Sequence, residues 1–279
     1  MSQASAFIPA RQIALSEAEF RLLQQLFFDQ VGIQLPPVKK PLLCGRLAKR
    51  LAALQMNSYK QYYNLLVTRE GARELEIAID LITTHETYFF REPQHFNYLE
   101  QKILPQVAQQ ADFRVWSAAS STGEEAYTLA MLLDMHRSPK PWSVVGTDVS
   151  LAVLESARKG LFVEGRGDKI PLHYRKRYCL KGRERYAGYF MVERELRERV
   201  EFRPGNLTKP SPELGQFDLV LLRNVLIYFD VPTKQVVLKH VLERIKPGGW
   251  LMVGHSESLQ AAPSHLEQLA PSIYRRPLR

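Results

Sequence analysis

The chain has 279 residues, of which 45% are hydrophobic and 24% charged, and its formal net charge is +9. These values are typical of a globular protein with a large core, and no apolar run approaches the ~20 residues of a membrane-spanning helix. The N-terminus lacks a charged start followed by an apolar stretch, and Cys44 and Cys179 are too few for a disulfide framework. We therefore expect a cytoplasmic protein without a signal peptide.

The basic charge is concentrated in two segments. Residues 1–76 carry a net charge of +4 and residues 165–203 carry +6, whereas the rest of the chain carries −1. Such fields favour an acidic partner (a nucleic acid, an anionic lipid or an acidic protein surface), although they also simply keep a protein soluble. The seven histidines include no HExxH pair and no partner cysteines, which predicts no metal site.

Residues 1–82 have the pattern of a helical domain. Ser16 begins a capping box, and Gly32 is placed to end the helix that follows. After a break at PPVKKP, the segment LLCGRLAKRLAAL has leucines on one face and basic residues on another. Further helices are predicted over 58–67 and 72–82, and such a segment is long enough for a small bundle.

From about residue 113, short apolar runs alternate with helical patterns. The runs are FRVWSA, WSVVGTD, VEFRPGN, FDLVLLRN and GWLMVGH, and helices are predicted over 124–136, 150–159 and 232–245. This alternation predicts a parallel sheet with right-handed crossovers and helices on both faces. The basic stretch 161–199 interrupts the alternation and predicts a small β insertion.

The turn SAASSTGEEA follows the first predicted strand and opens a helix, which is where open parallel sheets bind ligands. It has a single glycine and no Walker lysine, and Glu124 and Glu125 would repel a phosphate there. Asp148 ends the next strand, where a carboxylate is suited to the hydroxyls of a ribose. A ligand with a ribose, a cationic end and no pyrophosphate fits this pattern, as S-adenosylmethionine does. The alternative is that the two glutamates only stabilise the start of a helix.

Later strand ends add polar side chains to the same edge. Asn206 offers an amide that would suit the edge of an adenine ring. Arg223 and Asn224 end the fourth apolar run, FDLVLLRN, and Tyr228 follows in a turn or short helix. The alternatives are turn chemistry for Asn206 and a core aromatic for Tyr228. The stretch LITTHETYFFREPQHF, dense in aromatics and short hydroxyls, either packs over a cleft or is an interdomain joint.

Six stretches occur in a fixed order: THETYFFREPQHF, VWSAASSTGEEAY, VVGTDVS, RPGNL, RNVLIYFD and KPGGWLMVGHSES. Together they resemble the bacterial chemotaxis receptor methyltransferases, the CheR family, over about residues 15–275. The resemblance implies an all-α N-terminal domain over 1–82 and a linker with a lead-in helix over 83–112. It further implies a Rossmann-like α/β class I methyltransferase domain over 113–279, with a seven-stranded sheet and an antiparallel β-subdomain inserted at about 161–199.

The function implied by the resemblance is methyl transfer from S-adenosylmethionine to the γ-carboxylate of glutamates in the cytoplasmic helices of chemoreceptors. The products are glutamyl methyl esters, which serve sensory adaptation, and S-adenosylhomocysteine. The resemblance implies catalytic roles for Arg91, which would orient the substrate carboxylate, and for Tyr228. The cofactor-binding residues that it implies are His85, Thr87, Arg91, Glu124, Glu125, Asp148, Asn206, Leu207, Arg223 and Asn224. His85 stands where some relatives have asparagine.

The basic segments then have an expected partner. Arg46, Lys49 and Arg50 would bind the carboxylate-rich receptor helices. They would mainly raise the rate of association and fix the alignment of the two proteins. In relatives the inserted β-subdomain can bind a C-terminal receptor pentapeptide by edge pairing, which stays open for this chain. We expect a monomer without metal, nucleic acid or membrane insertion.

Three rival functions fit the sequence less well. A nucleic-acid amino-methyltransferase often carries a [DN]PP[YF] tetrapeptide, but the corresponding stretch here, RNVLIYF, lacks the prolines. A non-enzymatic adaptor is disfavoured by the presence of Arg91 and Tyr228. A serine hydrolase is disfavoured because GHSES lacks the last glycine of G-x-S-x-G.

Overall fold

A computed structural model of the protein describes residues 13–257, 259 and 266–278. These residues divide into two compact units. The first comprises residues 13–30 and 34–83, and the second comprises 31–33 and the described residues from 84 onward. In the part of the chain that is described, no helix is both long and apolar enough to cross a membrane.

The first unit is all helical, as predicted. Its helices are α1 (Glu17–Val31), α2 (Lys40–Ala53), α3 (Tyr59–Leu66) and α4 (Ala72–Ile82). The capping box at the start of α1 is confirmed, because Ser16 N and Oγ donate to Glu19 Oε2 at 2.9 and 2.6 Å and Glu19 N donates back to Ser16 Oγ at 3.2 Å. Gly32, at φ +74°, directly follows α1. The leucines of α2 are buried at Leu43, Leu47 and Leu51.

The second unit is built on two sheets. Its strands are β1 (Arg114–Ala118), β2 (Ser143–Asp148), β3 (Leu161–Val163), β4 (Cys179–Lys181), β5 (Tyr189–Val192), β6 (Val200–Pro204), β7 (Phe217–Leu222), β8 (Ile245–Val253), β9 (Glu267–Ala270) and β10 (Ile273–Arg275). Its helices are α5 (Pro93–Tyr98), α6 (Leu104–Gln106), α7 (Glu124–Arg137), α8 (Leu151–Lys159), α9 (Leu172–Tyr178), α10 (Arg194–Arg197) and α11 (Val231–Glu243).

The main sheet has seven strands in the order β6-β2-β1-β7-β8-β10-β9. The five strands from β6 to β8 are parallel, as predicted from their apolar runs. The prediction of a parallel sheet is incomplete, because β10 pairs antiparallel with both β8 and β9. These last strands are short, and β9 (EQLA) has no apolar run that would have marked it. Val115 and Leu219 pack on one face of the sheet, and Trp116 and Val220 pack on the other.

The insertion between α8 and β6 contains the predicted antiparallel β-subdomain. Its three strands have the order β3-β5-β4, and α9 and α10 accompany them. Phe162 of β3 stacks on Phe190 of β5 with ring centroids 5.6 Å apart, and Phe89 meets Phe162 edge-on at 5.0 Å. The insertion therefore shares a core with the segment that precedes the main sheet.

Candidate active site

The carboxyl ends of the parallel strands gather the predicted polar residues at one edge of the sheet. The turn after β1 lies between the ends of β2 and β7, because β1 is paired with both. Ala119 and Ser121 in this turn, and Asn224 after β7, have φ values of 65°, 50° and 57°. Left-handed backbone at residues other than glycine costs about 1–3 kcal/mol each and concentrates at functional sites. This edge is therefore the candidate site.

Asp148 connects the end of β2 to the turn after β1. Its Oδ2 accepts a hydrogen bond from Ser121 N at 2.9 Å, and its Oδ1 accepts one from Ser150 N at 3.0 Å. Burial raises the pKa of this carboxyl, and the main-chain N–H groups act in the opposite direction. The result is a fixed, mostly buried acceptor at the place that the sequence predicted for a ribose-binding carboxylate.

The turn itself requires small residues. Gly123 has φ +95°, and a Cβ there would lie 2.9 Å from Ala157 Cβ and 3.0 Å from Phe202 Cζ. Ser120 Oγ is buried and makes no hydrogen bond with any residue that the structure describes. A buried hydroxyl without a protein partner is uncommon, and it is available to a water molecule or a ligand.

Glu124 and Glu125, which the sequence could not tell apart, face different partners. Glu124 accepts a hydrogen bond from Thr122 Oγ1 at 2.6 Å and pairs with Arg166 of the insertion. Glu125 accepts from Ser117 Oγ on β1 and from Arg223 Nη1, both at 2.7 Å. Burial raises the pKa of both carboxyls, and the paired guanidinium groups oppose the shift. Glu125 thus belongs to the strand ends, whereas Glu124 joins the helix start to the insertion.

Arg223 holds the residues around the end of β7 together. Its side chain is only 1% exposed, pairs with Glu125 and lies 3.1 Å from Glu92 Oε2. It also donates to the main-chain oxygen of Arg91. Asn224 Nδ2 donates to Glu92 Oε1 at 3.2 Å. Sequence reasoning missed Glu92, which directly precedes α5 with φ 56° and whose local signal is only its position before Pro93.

Sequence reasoning also missed Glu257, in the loop after β8. Its carboxylate accepts hydrogen bonds from Asn224 N at 2.6 Å, Gly254 N at 2.8 Å and Ile227 N at 3.3 Å. Burial raises the pKa of this carboxyl, against those N–H groups. These bonds fix the turn Leu226–Tyr228, which presents the partly exposed Tyr228. No local motif predicts a contact between loops so distant in the chain.

The segment before β1 contacts the strand ends through its main chain. Ser121 Oγ donates to the carbonyl oxygen of His85 at 3.3 Å, and Phe90 N donates to Thr128 Oγ1 at 3.1 Å. Thr87 and Arg91 are partly exposed in the same segment, and Arg91 Nη1 donates to the carbonyl oxygen of Glu86 at 2.8 Å. The sequence left two roles open for this segment, a cover over a cleft or a joint between domains. These contacts favour the first role.

Asn206 has the turn chemistry that was the alternative to adenine binding. Its Oδ1 accepts hydrogen bonds from Thr208 N at 3.0 Å and Thr208 Oγ1 at 2.8 Å. Leu207 packs against the core on one face of the sheet. These contacts position both residues after β6.

The predicted receptor-binding residues lie in the first unit and divide into two kinds. Arg46 donates to the carbonyl oxygens of Ile82 and Thr83 at 2.6 and 2.9 Å, where α4 ends. Arg50 makes a two-point pair with Glu74 at 2.7 and 2.6 Å. Lys49 is exposed. The two arginines therefore stabilise the helical unit, whatever else they contact.

An α/β sheet with parallel strand ends, a buried carboxylate at the end of β2 and a ligand turn after β1 has the architecture of nucleotide-binding α/β proteins. A family model described as the CheR methyltransferase, SAM binding domain, matches residues 85–274. A second, the CheR methyltransferase, all-alpha domain, matches residues 18–83. The chain belongs to the CheR methyltransferase family and is an S-adenosylmethionine-dependent methyltransferase.

Similar proteins align along most of the chain. The chemotaxis protein methyltransferase of Escherichia coli K12 is 37% identical over 260 residues, which cover 92% of this chain and 88% of the relative. Chemotaxis protein methyltransferase 2 of Pseudomonas aeruginosa is 33% identical over 259 residues, with 92% of each chain covered. The chemotaxis protein methyltransferase of Borreliella burgdorferi is 32% identical over 275 residues, with 95% and 96% covered. The similarity therefore includes both units.

Proposed function

We propose that this protein transfers the methyl group of S-adenosylmethionine to the γ-carboxylate of glutamates in the cytoplasmic helices of chemoreceptors. The products are a glutamyl methyl ester and S-adenosylhomocysteine. The name shared by the relatives, chemotaxis protein methyltransferase, supports this class of substrate. The net charge of +9 suits a carboxylate-rich partner.

The strand-end residues fit this cofactor. Asp148 offers a fixed carboxylate for the ribose hydroxyls, and Ser120 offers a hydroxyl that has no partner among the described residues. Glu125 would put negative charge near the cationic end of a bound cofactor, which would supply an electrophilic methyl carbon. The residues that we propose for the cofactor site are His85, Thr87, Arg91, Glu124, Glu125, Asp148, Asn206, Leu207, Arg223 and Asn224.

The reaction asks the protein for positioning rather than for proton transfer. A glutamate side chain is already ionised near pH 7, so no general base is needed. One oxygen of that carboxylate attacks the methyl carbon while the bond from methyl to sulfur breaks, so a carboxylate and a sulfonium become a neutral ester and a thioether. Alignment of the reacting groups contributes roughly 7–11 kcal/mol at best.

The surroundings of Arg91 carry the catalytic assignment. Its main-chain oxygen accepts a hydrogen bond from the buried Arg223, which fixes the backbone of Arg91 at the end of β7. Its guanidinium is partly exposed at the same edge of the sheet. A guanidinium on a fixed backbone suits two-point binding of a substrate carboxylate. Tyr228, presented by the turn that Glu257 fixes, would align the same carboxylate or the sulfonium.

The remaining assignments concern partners. Lys49, with Arg46 and Arg50, would meet the acidic receptor helices. The β-subdomain has β3 and β4 as edge strands, which suits pairing with an extended receptor peptide. We propose that the protein acts as a monomer in the cytoplasm, where the receptor helices lie.

The test is a methyl-transfer assay with a chemical readout. The purified protein is incubated with methyl-labelled S-adenosylmethionine and chemoreceptor-bearing membranes, and the product is then treated with mild base. We expect volatile labelled methanol, because carboxyl esters hydrolyse under these conditions. Membranes without chemoreceptors are the control and are expected to give none.

Two other outcomes contradict the proposal in different ways. Label that resists base indicates an N-methyl product and favours nucleic acid or amine methylation. Absence of label in the presence of several chemoreceptors, with cofactor binding intact by calorimetry, favours a non-enzymatic adaptor.

A further inference from the structure

A buried histidine lies beside the strand-end cluster. His95 of α5 is 1% exposed, and neither ring nitrogen makes a hydrogen bond with any residue in the described ranges. Buried polar groups of this kind usually have a water or an ion as partner. A neutral imidazole is also the form that binds metal ions.

Two further metal-ligating side chains face His95. Its Nδ1 lies 3.4 Å from Glu92 Oε2, and the centroids of the His95 and His255 rings are 4.6 Å apart. One ligating atom from each of the three residues lies within 4.8 Å of the others. Ligands around a tetrahedral zinc ion are roughly 3.4 Å apart, given bonds of about 2.1 Å. Glu92 and His95 already have this spacing, and the exposed His255 has room to move closer.

Hydrogen bonds hold the carboxylate of Glu92 beside both histidines. Its Oε2 accepts a hydrogen bond from His255 N at 3.2 Å and lies 3.1 Å from Arg223 Nη2, and its Oε1 accepts one from Asn224 Nδ2 at 3.2 Å. The first of these bonds keeps the loop that carries His255 against Glu92. The three ligating side chains are therefore held together by the fold.

We propose that Glu92, His95 and His255 form a binding site for one divalent transition-metal ion. One carboxylate oxygen and two imidazole nitrogens suit Zn²⁺ and Co²⁺, with a fourth position left for water. The sequence predicted no metal site because His95 and His255 belong to separate motifs, and only the fold brings them together. The proposal does not depend on the identity of the methyl acceptor.

The experiment measures metal binding by the full chain. The protein is first treated with a chelator and then titrated with Co²⁺, followed by visible absorption, and with Zn²⁺, followed by calorimetry. We expect one equivalent of either ion to bind. The main variant is His255→Ala, because this exposed side chain can be removed without opening the core. Mutation of residues that only support a metal ligand already weakens metal affinity by about tenfold or more. Loss of a ligand itself should therefore weaken binding by at least about tenfold.

Two further variants separate this site from others. His173→Ala removes an exposed histidine of α9 and should bind both ions as the wild type does. His95→Gln should lose the absorption bands of bound Co²⁺, provided that circular dichroism shows a folded protein. Zn²⁺ should also raise the Tm of the wild type but not that of His255→Ala.

Either of two results overturns the proposal. The first is a wild-type protein that takes up no Co²⁺ or Zn²⁺. The second is equal affinity in the wild type and His255→Ala, which would mean that the ion binds elsewhere. In both cases a buried water would be the partner of His95.

Discussion

The helical unit and the strand-end cluster each pair an arginine with glutamate, but the two arginines differ in burial. Arg50 is 31% exposed and pairs with Glu74 of a neighbouring helix. Arg223 is 1% exposed and joins Glu92 to Glu125. Water screens the guanidinium of Arg50, although Glu74 itself is buried, whereas the charge of Arg223 is almost wholly removed from water and depends on its two carboxylate partners. The same residue types thus join two helices in one unit, and in the other they hold together the residues around the end of β7.

The largest expected effect tests this difference directly. Arg223→Met should lower the free energy of unfolding by about 3–5 kcal/mol, because two carboxylates that are only 16% and 14% exposed, Glu92 and Glu125, would lose the cation they share. The matched variant Arg50→Met should lower it by about 1–3 kcal/mol, because a single buried carboxylate, that of Glu74, loses its cation but keeps the hydrogen bond from Tyr62. Urea unfolding measures both values. Equal losses would show that burial does not distinguish the two pairs.

The pH dependence of the same variant sharpens the comparison. Burial already raises the pKa of Glu125 above its ordinary value of 4.5, and removal of the Arg223 charge should raise it further. The folded variant then holds this proton more tightly than the unfolded chain. Its deficit in unfolding free energy should therefore be small in acid and grow as the pH rises above 4.5. A deficit independent of pH across this range would contradict the role of the guanidinium.

A second prediction separates turnover from cofactor binding. Arg91→Ala should reduce kcat by about 100-fold, the order of effect of a misplaced reactant, and should weaken the binding of S-adenosylmethionine by a much smaller factor. Asp148→Ala should instead weaken cofactor binding by about tenfold or more, because it removes a charged hydrogen-bond acceptor. Calorimetry and initial rates measure the two effects. Unchanged turnover in Arg91→Ala would exclude its catalytic role.

A third prediction concerns the turn after β1. Gly123→Ala should cost about 1–3 kcal/mol from the left-handed backbone, plus a steric cost against Ala157 and Phe202. The control is Gly188→Ala, which has φ +84° but no described atom within 4 Å of a new Cβ. The difference between the two in thermal unfolding isolates the steric part. Equal losses of stability in Gly123→Ala and Gly188→Ala would show that the close contacts of Gly123 with Ala157 and Phe202 add no steric cost.

The smallest effect is expected at the exposed face of the helical unit. Lys49→Glu should change stability by less than about 0.5 kcal/mol, because the side chain is exposed. It should slow receptor methylation at low ionic strength, and added salt should reduce the difference. The control is Lys102→Glu, an exposed lysine of the other unit with the same charge change. Equal rates for both variants would argue against receptor docking through Lys49.

Local patterns accounted for the parts of the molecule that depend on neighbours in the chain. The capping box at Ser16, the buried leucine face of α2 and the five apolar parallel strands all follow from spacing within a few residues. Asp148, Arg223 and Asn224 were predicted to lie together because the ends of parallel strands share one edge. The helices of the insertion and the short strands β9 and β10 were not predicted, since none has a distinct apolar run.

The rest of the site could not be predicted because its contacts join distant residues. Glu92 contacts Arg223, and Glu257 contacts Asn224, across separate elements of the fold. His95 and His255 meet only after α5 and the loop that follows β8 come together. Each of these residues lies in a motif that has a simpler local interpretation, such as the start of a helix or a strand-end loop.

The most direct test of the proposed reaction is to locate the transferred methyl group on the receptor. Chemoreceptor incubated with the protein and S-adenosylmethionine would be digested without base and mapped by tandem mass spectrometry. We predict methylation of glutamate side chains in the cytoplasmic helices, which should be strongly reduced when Arg91→Ala replaces the wild type. Methylation of lysine, arginine or a chain terminus instead would contradict carboxylate transfer at this site.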